Sequence, residues 1–474
     1  MLRRLIASDA APAWALALLL LAVVGPLVPI NSAQPAVRAA QTGALVEQGS
    51  VRLDAFRDAV LIDRVELDGH LYSDKAPLQP LLAAPVYAAG QLVGMESAAV
   101  PRDRMNLTQW WLRLATSVLP AAGLVLLMHR TARRVAPAGA TLATAACAFG
   151  TLLLPFASEL YAHVLCTFFG FAAWVVLSEG RAGGRLGLRR AAMAGALAGA
   201  AVATEYPMAL VVLVLAGTFV VAREWRPLVA FAAGGIPFAA LLGIYQQLAF
   251  GDPFATSYSL KPVHAAASPA VTGVPRPTQL LEVLMGSRGL VLFSPVVAVG
   301  LVGLVRLARR AGPHRAHGAV GLLVFTAFWM LQGGWPNPWG GETPGPRYMI
   351  TALPFLAVGI AQVITLLSVR LRAVVVGWSV LFMLGPLLAF HMVPDGGAVG
   401  LSHLDNVRRF GVTPTAWNAV LGPWGWGVWL LGIAAAGLVL ARVVASRPAV
   451  AEDAPTSATA AAPAPRPTAA LSRP

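Results

Sequence analysis

The feature that most constrains this chain is a succession of apolar runs, each close to the length of a membrane crossing, joined by links that carry arginine. A bilayer core about 30 Å thick is spanned by roughly 20 apolar residues in a helix. Runs of that kind occupy 12–30, 109–128, 138–156, 160–178, 190–205, 207–222, 226–249, 288–306, 317–333, 348–368, 373–392 and 421–442. Charged residues are only 12% of the chain against 57% hydrophobic ones, where soluble proteins carry about a quarter charged. An ordinary soluble enzyme is thereby excluded. The expected fold is an all-α integral membrane bundle of about twelve transmembrane helices.

The formal charge of +14 would suggest a nucleic-acid partner on a soluble chain. Here too little polar surface exists to support that, and no nucleic acid is expected. A basic excess in a membrane protein collects in cytoplasmic links instead. With a cytoplasmic N-terminus, the inside segments hold Arg3 and Arg4, Arg130, Arg133 and Arg134, Arg181, Arg185, Arg189 and Arg190, Arg223 and Arg226, Arg306, Arg309, Arg310 and Arg315, Arg370 and Arg372, Arg442, and the tail arginines Arg447, Arg466 and Arg473. These 21 basic residues face five acidic ones (Asp9, Glu179, Glu224, Glu452 and Asp453), leaving 14 basic and 16 acidic residues elsewhere. Both termini are therefore expected inside, in the cytoplasmic (inner) membrane of a bacterium whose Ala/Arg/Gly-rich usage suggests high GC. Met1 to Arg4 ahead of 12–30 has the form of a signal peptide, but with so many later spans an uncleaved first helix is expected.

The stretch 80–96 is apolar enough to tempt a further crossing, yet making it span would invert every later link. It is expected as a helix at the outer interface, so that 31–108 forms one long first extracytoplasmic loop. Residues 1–445 then form the membrane domain. The Ala/Pro-rich 446–474 cannot bury a core and is expected to be a disordered cytoplasmic tail. The two cysteines, Cys147 and Cys166, sit in apolar runs and indicate no disulfide framework.

Nine of the 21 acidic residues fall in the first outer loop: Glu47, Asp54, Asp58, Asp63, Glu66, Asp68, Asp74, Glu96 and Asp103. The chain's two lysines, Lys75 and Lys261, are both placed outside, against 33 arginines in all. A lysine kept in so arginine-biased a chain suits a phosphate that needs a compact point charge; chance explains it equally well. Glu159 and His163 stand four residues apart, which on a helix puts them on one face, and Glu205 lies similarly ahead of Pro207. Charges within membrane segments tend to be paired or functional. Glu66 and Asp68 leave a divalent metal open, with no cofactor otherwise indicated.

The order of a first helix, a long acidic outer loop and Asp68-Gly-His-Leu-Tyr-Ser-Asp-Lys-Ala-Pro-Leu78 resembles the membrane glycosyltransferases of the GT-C class. The resemblance is to glycosyltransferase family 39 and the aminoarabinose transferase type. Ser158-Glu-Leu-Tyr-Ala-His163, Ala203-Thr-Glu-Tyr-Pro207, Arg288-Gly-Leu-Val-Leu-Phe-Ser-Pro295 and Trp339-Gly-Gly-Glu-Thr-Pro-Gly-Pro-Arg-Tyr348 extend it over most of the chain. The Asp-Glu signature those proteins carry close behind the first helix is missing here.

What the resemblance implies is transfer of a sugar, a hexose or pentose, from a polyprenyl-phosphate-linked donor to an envelope glycan, lipid or protein acceptor on the outer face. The transfer would be inverting, with an aspartate as general base. Asp63 is the first candidate base, with Asp54 second and Asp58 and Asp74 behind them. Lys75 matches the lysine that lies near the carrier phosphate, and Asp74, Tyr72, Arg347, Tyr348, Arg288, Glu159, His163, Glu205 and Glu342 complete the expected substrate-binding set. A twelve-helix secondary transporter or lipid-linked sugar flippase is the alternative, and a purely structural subunit a third. An enzyme requires Asp54, Asp63, Lys75 and Arg347 to converge on one outward-facing site, whereas a structural subunit would scatter them.

Overall fold

The computed structural model describes residues 9–60, 62–98, 106–260 and 273–446. Arg3, Arg4, Asp103, Lys261 and all of the tail beyond Ser446 lie outside the described residues.

Each of the twelve apolar runs falls on helix. Among the described residues, seven helices are long and apolar enough to cross a membrane: Leu107–Val135, Ala162–Ala182, Trp225–Phe250, Arg315–Gly333, Arg347–Leu366, Val369–Leu388 and Asn418–Ala445. Three more apolar helices are shorter, at Ala11–Val24, Pro137–Phe149 and Tyr206–Val221, and Leu188–Thr204 packs between its neighbours. The chain is a multi-pass membrane protein.

Two of the runs that depart from the expected limits do so at prolines. The first helix stops at Val24 where 30 was expected, because Pro26 and Pro29 cannot continue it. The freed segment pairs with the far end of the chain, Val28 N–H donating to Pro414 O and Ala416 N–H to Pro26 O, both at 2.7 Å. The run 288–306 is broken at Ser294-Pro295. Pro277–Phe293 and Val296–Arg309 meet there at 96°.

The innermost helix is Arg347–Leu366, 83% buried, whereas Trp225–Phe250 is 11% buried. Arg347–Leu366 packs against Val296–Arg309 so closely that a Cβ on Gly303 would lie 1.9 Å from the Gly359 carbonyl oxygen. Only glycine fits that crossing.

The described residues of the first loop form a cap. It holds the helix Ala33–Glu47, a short antiparallel hairpin of β1 (Arg64–Leu67) and β2 (His70–Ser73), and the helix Leu78–Leu92. Asp68 and Gly69 turn the hairpin, both with positive φ (51° and 77°), the conformation a two-residue turn of this sequence adopts. The helix expected around 80–96 is present as Leu78–Leu92 and packs on Ala33–Glu47, with Tyr87 donating its hydroxyl to Glu47.

The arginine-bearing links gather at one end of the bundle. Arg133 pairs with Asp9 at 2.6 Å, Arg130 and Arg134 with Glu179 at 2.5 and 2.6 Å, and Arg181 with Glu224 at 2.8 Å. Three of the five acids assigned to that side are thus tied to its arginines. The cap lies at the opposite end, over the ends of Leu188–Thr204 and Arg347–Leu366 that face away from the arginine belt.

Candidate functional site

The site is built on the short stretch Ser73-Asp74-Lys75 that leaves β2. Three interactions fix its backbone. Lys75 N–H donates to Ser73 Oγ at 3.1 Å, Tyr245 Oη to the Ser73 carbonyl at 3.4 Å, and Ser257 Oγ to the Asp74 carbonyl at 2.8 Å. Tyr72 anchors the same segment by packing edge-on against Phe250, with ring centroids 5.9 Å apart. Lys75 is thereby held in the interior at 5% exposure.

Its ammonium lies 3.2 Å from Asp63 Oδ1 and 3.1 Å from Asp74 Oδ1. Burial by itself would lower the pKa of this group, but the two carboxylates outweigh burial and hold the lysine above its ordinary range. Asp63 reaches it from the residue before β1 with a left-handed backbone, φ 61°. A non-glycine residue in that region costs about 1–3 kcal/mol and persists where its surroundings impose it. Asp74 N–H donating to the Asp63 carbonyl at 3.3 Å is one such restraint.

Two arginines complete the cluster, each acting on Lys75 as a like charge. Arg347 begins its buried helix and holds out both terminal nitrogens to the Gln34 amide oxygen at 3.0 Å, with its guanidinium 5.4 Å from the Tyr348 ring. Arg38, on the helix Ala33–Glu47, is fully buried and ion-paired to Glu205, and its Nε and Nη1 make no hydrogen bond. Asp63 is within electrostatic reach of Arg347. His163 heads its helix within reach of all three cations, its ring 5.4 Å from Tyr348.

Asp63, Lys75 and Arg347 come together, with Asp74, Tyr348, His163 and Glu205 beside them. Asp54 is elsewhere. It accepts from Leu71 N–H at 2.8 Å and pairs with His70 at 2.7 Å, which makes it a staple of the hairpin. Its pKa is lowered, because those bonds and Arg57 outweigh the opposing effect of partial burial. Asp58 is exposed on the same surface. Arg288 is spent on backbone carbonyls, those of Gly341 and Thr343 at 3.4 and 3.2 Å and of Pro394 and Gly397, and so clamps loops together; Glu342 is exposed nearby.

The expected placement of Glu159 and His163 on one helix face is corrected. The helix starts only at His163, so the four-residue spacing does not put the two on one face. Glu159 pairs instead with His391 at 2.9 Å. Glu66 is exposed on β1 and Asp68 sits in the hairpin turn. Among the described residues no group of three or more His, Cys, Asp or Glu side chains is arranged to hold a metal ion.

Sequence reasoning missed Arg38 as a site residue and His391 altogether. Arg38 was legible only as the first charge after the first helix. His391 lies 359 residues from Ser32, one of its neighbours, so no spacing rule reaches it.

Chemically, the arrangement offers three cations around one buried point, carboxylates that neutralise two of them, and a partly exposed carboxylate at the rim. It suits an anionic group that approaches from the cap side and a proton that leaves in the same place.

No protein-family model and no curated protein matches the chain. Among solved structures it is similar to ArnT from Cupriavidus metallidurans bound to undecaprenyl phosphate, with 15% identity, 90% of this chain and 72% of that chain covered, and TM-score 0.49. It is also similar to the arabinosyltransferase EmbB from Mycobacterium smegmatis, with 18% identity, 94% and 41% covered, and TM-score 0.49. For the oligosaccharyltransferase of Archaeoglobus fulgidus the figures are 14% identity, 90% and 59% covered, and TM-score 0.43. The chain spans less than two thirds of the length of these last two. At such identities the likeness assigns no residue of this chain a role.

Proposed function

We propose that this protein is an integral membrane glycosyltransferase of the GT-C class that moves a sugar from a polyprenyl-phosphate carrier to a hydroxyl acceptor of the cell envelope. The observation that carries the reading is the buried Lys75, flanked by Asp63 and Asp74, with Arg347 and Arg38 in electrostatic reach, under the cap. Asp63, Asp74 and Glu205 already face the cations, but Arg38 Nε and Nη1 and Arg347 Nε make no hydrogen bond, and a lipid-borne phosphate would take up such donors without leaving the bilayer. The reading places the cap outside, because the arginine belt occupies the other end and basic links stay in the cytoplasm.

In the proposed reaction the acceptor oxygen forms a bond to the anomeric carbon from the face opposite the phosphate. The bond from that carbon to the phosphate oxygen breaks, and its electron pair leaves with the phosphate. Lys75 and Arg347 neutralise the charge that rises on the leaving group, with arginine able to bind it as a fork. Asp63 takes the proton of the acceptor hydroxyl. It is the most exposed carboxylate of the cluster, at 21% of its side chain against 2% for Asp74. Arg38 is held in place by Glu205, with two nitrogens left to donate.

The test is consumption of a radiolabelled polyprenyl-phosphate sugar by purified protein in proteoliposomes. Wild type is expected to release the carrier phosphate and transfer the label. Lys75→Ala and Asp63→Asn are expected to stop it. Release at the wild-type rate in both variants would place the chemistry elsewhere, and no release from any donor would remove the class.

A further inference from the structure

A groove of about 550 Å³ opens between the helix Val369–Leu388 and the helix Leu401–Phe410. Phe382, Gly385 and Leu388 line one side, and Leu401, Leu404 and Val407 the other. The volume lies within the roughly 300–1,000 Å³ of small-molecule sites, and the lining is apolar. The groove is at the cap end of the bundle, because the segment after Leu388 brings His391 to Ser32 at the foot of the cap.

The way the second helix is held keeps the groove open. His403 and Asn406 are its buried polar anchors. His403 Nε2 lies 3.3 Å from the His391 carbonyl oxygen, and Asn406 Nδ2 donates to the Phe390 and Met392 carbonyls at 2.6 and 2.7 Å. Those anchors reach the irregular segment beyond Val369–Leu388, not the helix itself. Leu401 and Leu404 are accordingly left 69% and 59% exposed. Across the groove a Cβ on Gly385 would meet His403 at 3.6 Å, an ordinary contact, so the wall is thin there by sequence and not by crowding.

The helix Leu401–Phe410 also carries charge at the edge of its apolar stripe. Leu401, Leu404 and Val407 follow one another at three-residue steps, and Arg408, four residues after Leu404, is the neighbour of that stripe. Arg408 and Arg409 are exposed, and Asp405 pairs with Arg408 at 2.9 Å. Two arginines thus stand against one carboxylate beside an apolar groove. An apolar stripe bordered by arginine is the pattern of a helix that lies in a membrane interface. Val369–Leu388 has only 22% of its most apolar stretch buried, so the groove gives onto lipid.

We propose that the groove holds an acyl chain of an anionic glycerophospholipid whose phosphate is bound by Arg408 and Arg409. The arginines offer the phosphate charge-assisted hydrogen bonds, and a zwitterionic headgroup, which brings its own cation, gains less from them. The bound lipid joins two helices whose apolar sides the protein alone leaves apart, and so it stabilises the fold.

The experiment titrates the full chain, delipidated in detergent, with phosphatidylglycerol or phosphatidylcholine of the same acyl chains and counts lipid adducts by native mass spectrometry. The first phosphatidylglycerol is expected to bind with a Kd at least about tenfold below that of phosphatidylcholine, the preference two arginines give at a membrane surface. Arg408→Gln combined with Arg409→Gln is expected to bring the two Kd values within about twofold of each other. Gly385→Leu fills the groove, leaves the arginines in place and is expected to raise the phosphatidylglycerol Kd by about tenfold or more. Arg276→Gln removes an exposed arginine outside the groove and is expected to change nothing. Phosphatidylglycerol should raise the melting temperature of wild type and of Arg276→Gln, but not that of Gly385→Leu. The arginine pair lies on the surface, so its removal tests the site whether or not Gly385→Leu folds.

Equal Kd values for the two lipids in wild type, or a preference that survives loss of both arginines, overturns the proposal. A wild-type Kd in folded Gly385→Leu does so too. Displacement of the first phosphatidylglycerol by equimolar polyprenyl phosphate would give the groove to the tail of that lipid, and a two-chain mass that Gly385→Leu reduces to one would give it to a second copy; either overturns the proposal. None of these outcomes bears on the transfer reaction.

Discussion

At one end of the bundle Arg130, Arg133 and Arg134 meet Asp9 and Glu179 at the surface, with the arginine side chains 39–56% exposed. At the other end Arg38 meets Glu205 and Lys75 meets Asp63 and Asp74, with the cations at 1–5% exposure. The same kind of pair has opposite consequences in the two places. A solvated pair contributes about 0–1 kcal/mol, because water screens the attraction and the long side chains resist ordering. A buried pair starts from a large desolvation cost, so it adds little net stability but penalises heavily the loss of one member. By the positive-inside rule charge at the belt would orient the chain, while charge under the cap is what the proposed transfer puts to use.

The comparison can be broken most decisively at Arg38. Arg38→Ala leaves Glu205 buried and uncompensated, and should lower unfolding stability in mixed micelles by about 3–5 kcal/mol. The double change Arg38→Met with Glu205→Leu should recover most of that loss while transfer stays abolished; if it also recovers transfer, the pair is only structural. Next comes Lys75→Ala, expected to cut the rate of label transfer by about 100-fold to 1,000-fold, the cost of removing one charge-stabilising donor.

Asp63→Gly should lower stability by about 1–3 kcal/mol, because the loss of one partner of buried Lys75 outweighs relief of the left-handed backbone, even as transfer falls; a gain in stability would mean that the strain outweighs the pair. At the belt, Arg133→Ala should change stability by less than about 1 kcal/mol, measured in the same micelles. The smallest effect is one of pH. A lysine whose folded pKa is raised keeps its charge fully below its ordinary value of 10.5 and loses it only as pH climbs above that value. Binding of a polyprenyl phosphate to the resting protein should therefore not weaken through Lys75 between about pH 7 and pH 9, and a fall in that window would show that the two carboxylates fail to hold the ammonium.

Much of the fold was legible, because apolar runs and arginines report a one-dimensional property, depth in a membrane. Asp9, Glu179 and Glu224 could be assigned to the belt for that reason. The segment ending in Lys75 was legible as a motif, although its hairpin was not, since the Asp68-Gly69 signal sits in a stretch too short to show strand alternation. What the sequence hides is pairing across distance. Arg38 and Glu205 are 167 residues apart and Tyr161 and His391 are 230 apart, so their meeting depends on how helices pack. The Glu159 and His163 spacing misled in the other direction. It presumes a helix, and the chain there is still turning beneath the cap.

The unequal burial of the helices bears on how this protein tolerates its surroundings. Arg347 heads a helix with 83% of its most apolar stretch buried, while Trp225–Phe250, Val369–Leu388 and Asn418–Ala445 have only 11–22% of theirs buried and leave apolar faces open to lipid. When bilayer thickness changes, helices at the rim tilt to match it. The core helix has no lipid to match, so a thinner or thicker membrane re-angles the perimeter around a stationary centre.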